Sequence, residues 1–161
     1  PRSIGQLPLY YSMKPSGRGY GYVENDGSPL YPFGYGLSYT SFKLDKFNLI
    51  INGLNTEIEL TAENTGKYDG AEVIQIYFTG KNCDVVMPVK ELKAYKRIEL
   101  KKGENQELRI KLPQEAFFYY DRNMVYDMHN GDYTISVGTS SENIIKTFEI
   151  TVRNKSVLHD E

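Results

Sequence analysis

The side chains of this sequence that could do acid–base chemistry are its carboxylates, and their spacing argues against that use. Glu57, Glu59 and Glu63 fall on alternate positions of one segment, which in an extended strand puts them on a single face. Hydrolysis by paired carboxylates needs two of them across a cleft, roughly 5–10 Å apart, with one pKa raised by its surroundings. A stripe on a solvated face supplies neither condition. Asp84, Asp121, Asn123, Asp127 and Asp132 carry oxygen ligands suited to a hard cation, but they lack the spacing of a calcium loop. Cys83 is the single cysteine, and the two histidines, His129 and His159, lie in a turn-like stretch and in the tail. The expected role of Cys83 is therefore that of a half-buried thiol. No Gly-x-Ser-x-Gly, phosphate loop or Cys-x-x-Cys occurs. Gly34-Tyr35-Gly36 neither follows a strand nor opens a helix, so it is no dinucleotide fingerprint. No catalytic residue, cofactor or metal ligand is assigned.

A second kind of chemistry, packing of aromatic rings, is concentrated in residues 1–40. That region holds five of the seven prolines, seven of the fourteen glycines and seven of the fourteen tyrosines, and only five charged residues. Apolar periodicity is absent, so an irregular arm is expected, lying on a partner surface. Its densest part runs from Tyr31 to Thr40, with three tyrosines, Phe33, Pro32 and two glycines, and no charge. Tyr10, Tyr11, Tyr20, Tyr22, Tyr31 and Phe33 could stack on sugar faces, each offering a flat apolar face, and Arg18 and Asp26 could bind hydroxyls. The competing reading, which we favour, is an interdomain interface. The candidate interdomain or sugar-proximal residues are Arg18, Tyr20, Tyr31, Phe33, Tyr35 and Tyr39.

From Phe42 onward the pattern has period two. Ile58, Leu60 and Ala62 alternate with polar neighbours, as do Leu108, Ile110 and Leu112, then Tyr133, Ile135 and Val137, then Phe148, Ile150 and Val152. Each run predicts a half-buried strand. Val73–Phe78 reads as a central strand, and Leu92–Leu100 as another, joined to Glu107–Leu112 through Lys102-Gly103-Glu104-Asn105. In Phe42–Ile51 the apolar phase slips, which predicts a bulge near Lys46. Seven or so strands without convincing helical periodicity point to an all-β, two-sheet antiparallel β-sandwich of immunoglobulin or fibronectin type III style over 41–161. Tyr133, just after Gly131-Asp132, sits where a tyrosine corner belongs. Its hydroxyl is expected to tie the preceding loop to the sandwich.

The bulk numbers bound the rest. With 161 residues the chain can build one good core and an arm. Nineteen basic and 21 acidic residues are interspersed for a net charge of −2, so no nucleic-acid partner is expected. No apolar run reaches the ~20 residues of a membrane span. The lack of disulfides leaves cytoplasmic and exported settings both open. Pro1 opens the chain without methionine, as methionine removal or a longer parent would both leave it.

Pro32-Phe33-Gly34-Tyr35-Gly36-Leu37-Ser38-Tyr39-Thr40 followed by Phe42 resembles the segment that opens the C-terminal fibronectin type III-like domain of family 3 glycoside hydrolases. The ordered series Asn64-Thr65-Gly66, Gly70-Ala71-Glu72-Val73, Lys90-Glu91-Leu92-Lys93 and Gly131-Asp132-Tyr133 is similar to that family too, and upstream Pro1–Pro8 and Lys14–Arg18 resemble its exit from an α/β domain. One departure is Tyr126, where family members often carry tryptophan, which implies a modest repacking. The resemblance implies a β-glucosidase or β-xylosidase parent whose aspartate nucleophile and acid/base sit on other domains. The chain itself is then expected to be non-catalytic, to brace the catalytic domains and to border the substrate entrance. The alternative is a carbohydrate-binding module that targets the parent to polysaccharide. Expected partners are the parent's other domains and, in the alternative, oligo- or polysaccharide.

Overall fold

The computed structural model describes residues 2, 6, 9–15 and 27–159. Within them lie β1 (Phe42–Asn52), β2 (Asn55–Asn64), β3 (Gly70–Lys81), β4 (Glu91–Leu100), β5 (Asn105–Leu112), a 3-10 turn (Gln114–Phe117), β6 (Phe118–Tyr120), β7 (Tyr126–Met128), β8 (Gly131–Gly138), β9 (Ile144–Arg153) and β10 (Ser156–Leu158). Three strands pair in the order β1-β2-β5, five in the order β10-β9-β8-β3-β4, and β6 pairs with β7. Every pairing is antiparallel. The two larger sheets face each other across one core, as the alternation requires. Leu44, Ile58, Leu60, Ala62, Leu108, Ile110 and Leu112 come from one side. Ile74, Ile76, Phe78, Ile98, Ile135, Val137, Phe148, Ile150 and Val152 come from the other. Burial of side chains of this size stabilises the fold by roughly 1.5–3 kcal/mol each before chain entropy is set against it.

Several local expectations are met. The β1–β2 register shifts between Asp45 and Asn48, and Lys46 takes a left-handed φ of 53°. That bulge lets Phe42 and Leu44 share a face with Leu49 and Ile51 despite the slip in phase. Tyr133 is buried, and its hydroxyl donates to the His129 carbonyl at 3.1 Å. Cys83 is half-buried, and burial pushes its thiol up.

The turn expected at Lys102–Asn105 does join β4 to β5, with Glu104 N donating to Lys101 O at 3.0 Å; the two strands belong to different sheets, so it carries the chain across the sandwich. β6, β7, β10 and the 3-10 turn escaped the pattern because three- and four-residue pieces are too short to show a period. Tyr126 proves to be half-exposed on β7 against Phe118 and Tyr120, so a different ring there alters only that local contact.

Asn64 joins the sheets where the chain passes into the sandwich. Its Oδ1 accepts from Thr40 Oγ1 at 2.7 Å and from Gly66 N at 3.1 Å. Its Nδ2 donates to Tyr68 O at 2.8 Å and to Leu100 O at 3.0 Å. The carboxamide is fully buried and uses both donors and both acceptor sites.

Candidate functional site

The residues from Tyr31 to Tyr39 form no strand, yet they are not loose. Period two turns Gln75 and Tyr77 of β3 away from the core, onto the outer face of the five-stranded sheet. That face is covered there by the aromatic segment. Gln75 Nε2 donates to Gly34 O at 2.9 Å and to Thr139 O at 2.7 Å. The Tyr77 hydroxyl donates to Gln75 Oε1 and lies 3.4 Å from Phe33 O. The same Phe33 carbonyl accepts from Ser141 N at 2.9 Å. Burial pushes the Tyr77 phenol up to about 12, so at neutral pH it is a donor. Tyr77 of β3 and Tyr95 of β4 both stand outside the core cluster, on the outer face of the sheet. Tyr95 is indeed 68% exposed, but Tyr77 is fully buried because the arm lies on it.

Pro32 to Tyr35 is a β-turn, with Tyr35 N donating to Pro32 O at 3.0 Å and Gly34 at a φ of 77°. Glycine at the third turn position is what a positive φ there demands. Space demands it as well: a Cβ on Gly34 would sit 1.9 Å from Gln75 Oε1 and 2.7 Å from the Tyr77 hydroxyl.

This clamp presents a ledge of rings. Tyr31 and Tyr35 lie 5.3 Å apart, Phe33 and Tyr11 lie 4.1 Å apart, and Phe33 meets Tyr77 edge-on at 6.5 Å. Leu37 is 89% exposed and Tyr39 is 97% exposed. The arm also reaches the start of β4, where Val89 N donates to Met13 O at 2.8 Å and Leu92 N donates to the Tyr11 hydroxyl. A cleft of about 430 Å³ opens beside the ledge between Tyr10, Tyr31, Phe33, Lys90 and Glu142. A groove of about 460 Å³ lies on its other flank, bounded by Tyr35, Leu37, Leu92, Tyr95 and Arg97.

Of the candidate residues, the structure brings Tyr31, Phe33 and Tyr35 together and sets Tyr39 at the solvent end of the same segment. Arg18 and Tyr20 lie outside the described residues. Reading the sequence missed Gln75, Lys90 and the loop 139–141. The available signal for Gln75 was a lone carboxamide inside the β-forming run Val73–Phe78.

The carboxylates are arranged as structural partners. Arg109 pairs with Glu59 and lies 3.5 Å from Glu57, and with Asn48 it holds the Glu59 carboxyl below its usual range. Hydrogen bonds from Asn82 and Thr151 hold Asp132 down, Lys155 does so for Asp127, and the Val125 amide does so for Asp121. A general acid needs the opposite shift. Among the described residues no group of three or more His, Cys, Asp or Glu is placed to hold a metal ion, and no helix is long and apolar enough to cross a membrane.

The strand order, the tyrosine corner and the chain's passage between sheets define a fibronectin type III-like sandwich, and residues 72–141 match the family described as "Fibronectin type III-like domain". The likeness to larger proteins extends over nearly the whole chain. A putative beta-xylosidase of Formosa agariphila is 38% identical over 151 residues, 91% of this chain and 20% of that protein. The crystal structure of a beta-glucosidase from Listeria innocua in complex with glucose superposes with a TM-score of 0.80 at 33% identity, over 92% of this chain and 22% of that one. A GH3 beta-glucosidase of Bifidobacterium adolescentis gives a TM-score of 0.71 at 35% identity, over 76% and 18%. The chain thus spans about a fifth of the length of the proteins it matches. It belongs with the fibronectin type III-like domains of family 3 glycoside hydrolases.

Proposed function

We propose that this chain is the non-catalytic domain of a larger β-glycosidase that hydrolyses O-glycosyl bonds, and that residues 1–40 dock it onto the catalytic domains, which it braces beside the substrate entrance. The observation that carries this reading is the ledge: uncharged rings fixed from beneath by buried polar groups and left exposed above. A contiguous exposed apolar patch marks an interaction surface. A rigid one loses little conformational freedom on docking, which favours a permanent interface. The faces of the large sheets offer one exposed ring, Tyr95, and a polysaccharide platform on a sheet face would need a row of them.

The test is the pair Leu37→Asp and Tyr39→Asp, made together in this chain and in its full-length parent. Both side chains face solvent here, so the chain's own stability should change by less than about 0.5 kcal/mol. The parent should lose several degrees in Tm and expose its catalytic domains to proteolysis. The purified chain should turn over aryl β-glucosides and β-xylosides no faster than a mock preparation. Turnover by the chain alone, or a parent indifferent to both substitutions, would overturn the reading.

A further inference from the structure

The β6–β7 hairpin is a second exposed aromatic surface, set apart from the ledge. The ledge is clamped at Gln75, whereas the hairpin is tied to the loop beyond Lys81. Arg122 Nε donates to Asp84 O at 2.8 Å, and the Tyr119 hydroxyl donates to Asp84 Oδ1 at 2.6 Å. The hairpin tip is built to hold its shape. Asp121 Oδ1 accepts from Asn123 N and Val125 N, both at 2.8 Å. Asp121 N donates to Val125 O at 3.1 Å, and Met124 takes a left-handed φ of 62°. On this frame the Tyr120 and Tyr126 rings lie 4.9 Å apart at 39°, and Phe118 backs Tyr126 at 5.6 Å. Tyr120, Met124, Val125 and Tyr126 are all at least half exposed. A rigid turn that spends apolar side chains on solvent is arranged for contact and not for its own stability.

We propose that the Tyr120–Tyr126 pair is a contact site for one or two pyranose rings of a β-linked oligosaccharide. Size selects this class of occupant. Two three-residue strands present a face roughly 10 Å on a side, on the order of 100 Å², whereas a stable protein interface covers about 800 Å² per partner. A pyranose face fits that area. Its axial C–H groups pack on an aromatic face while its hydroxyls find hydrogen-bonding partners, and tyrosine supplies both a flat apolar body and a polar tip. The choice of β-linked glucose and xylose units rests on the β-glycosidase reading of the parent. The site itself does not.

Backbone amide NMR of this 161-residue chain, titrated with cello-, xylo- and malto-oligosaccharides, tests the proposal. Shifts should concentrate in residues 118–128, with weak affinity typical of one or two stacked rings. Tyr126→Ala and, separately, Tyr120→Ala should weaken binding about tenfold, the upper end of what one aromatic contact contributes. Tyr126→Phe should stay within about twofold of the parent sequence, because the ring face remains. Unchanged amide shifts in Val73–Phe78 certify the fold of each variant. Absence of shifts in 118–128 with every sugar, shifts confined to the ledge, or a self-association that Tyr126→Ala abolishes would each overturn the site. Equal binding of malto- and cello-oligosaccharides would keep the site and overturn only its β-linkage, which separates this failure from that of the parent reading.

Discussion

Gly34 concentrates at one position what the rest of the ledge depends on. It needs a positive φ, and it needs the absence of a Cβ, because Gln75 Oε1 occupies that space. Alanine there must break the turn or push Gln75 off its two carbonyls. Gly34→Ala is expected to cost roughly 1–3 kcal/mol, the range for a strained backbone position or a broken buried hydrogen-bond network. Thermal unfolding of the chain reads this directly, and loss of protection at the Ser141 amide would locate the damage. The aromatic run itself was legible from its lack of charge. The reason it stays in place was not, because Gln75 and Gly34 are 41 residues apart and nothing in their local patterns links them.

At the scale of elements, alternation told most of the story. The alternating runs of β2, β5, β8 and β9 show their inward faces in the sequence, and even the defect at Lys46 announced itself as a slip of phase. What alternation could not tell was which strands pair. β4 and β5 look like a hairpin because they are sequential and joined by a Gly-containing turn, yet Asn64 accepts the Gly103 amide at 3.0 Å and draws that turn toward the end of β2. The tyrosine corner allows a test at this scale. Tyr133→Phe keeps the ring packed edge-on to Phe117 at 6.1 Å and removes only the hydroxyl that ties β8 to the His129 carbonyl. The expected loss is about 0.5–1.5 kcal/mol, or a few degrees in Tm. A larger loss would mean that the hydroxyl also holds the Cys83 loop in place.

For the whole molecule, the shifted groups set two boundaries on stability. Asp121, Asp127 and Asp132 have folded pKa values held below the unfolded value of about 3.9. Near pH 4 the unfolded chain therefore binds more protons than the native one, and stability falls as pH falls. Their contribution is complete above about pH 5 and is lost as acidification passes the folded values. Tyr77, Tyr119 and Tyr133 are shifted upward, chiefly by burial. Their contribution is complete below pH 10, the ordinary phenol value, and is lost above it; for Tyr77 the loss runs to about 12. Melting curves across pH should show a plateau with an acid and an alkaline shoulder, and Asp132→Asn should soften the acid one. The three carboxylates lie at the surface, where water and salt screen them, so the acid shoulder should also shrink as ionic strength rises.

The Asn64 junction has a consequence for motion. Thr40 is tied to a carboxamide that also holds the loop before β3 and the end of β4, so a displacement arriving along the chain at that point is delivered to both sheets at once. Gln75 and Ser141 fix the backbone again at Phe33 and Gly34. The segment between these two fastenings cannot act as a pivot, and β1 cannot peel from β2 while they hold. Any swing about the chain at this point must turn on the N-terminal side of Phe33, and the segment from Phe33 to Thr40 must travel with the sandwich as part of one rigid body.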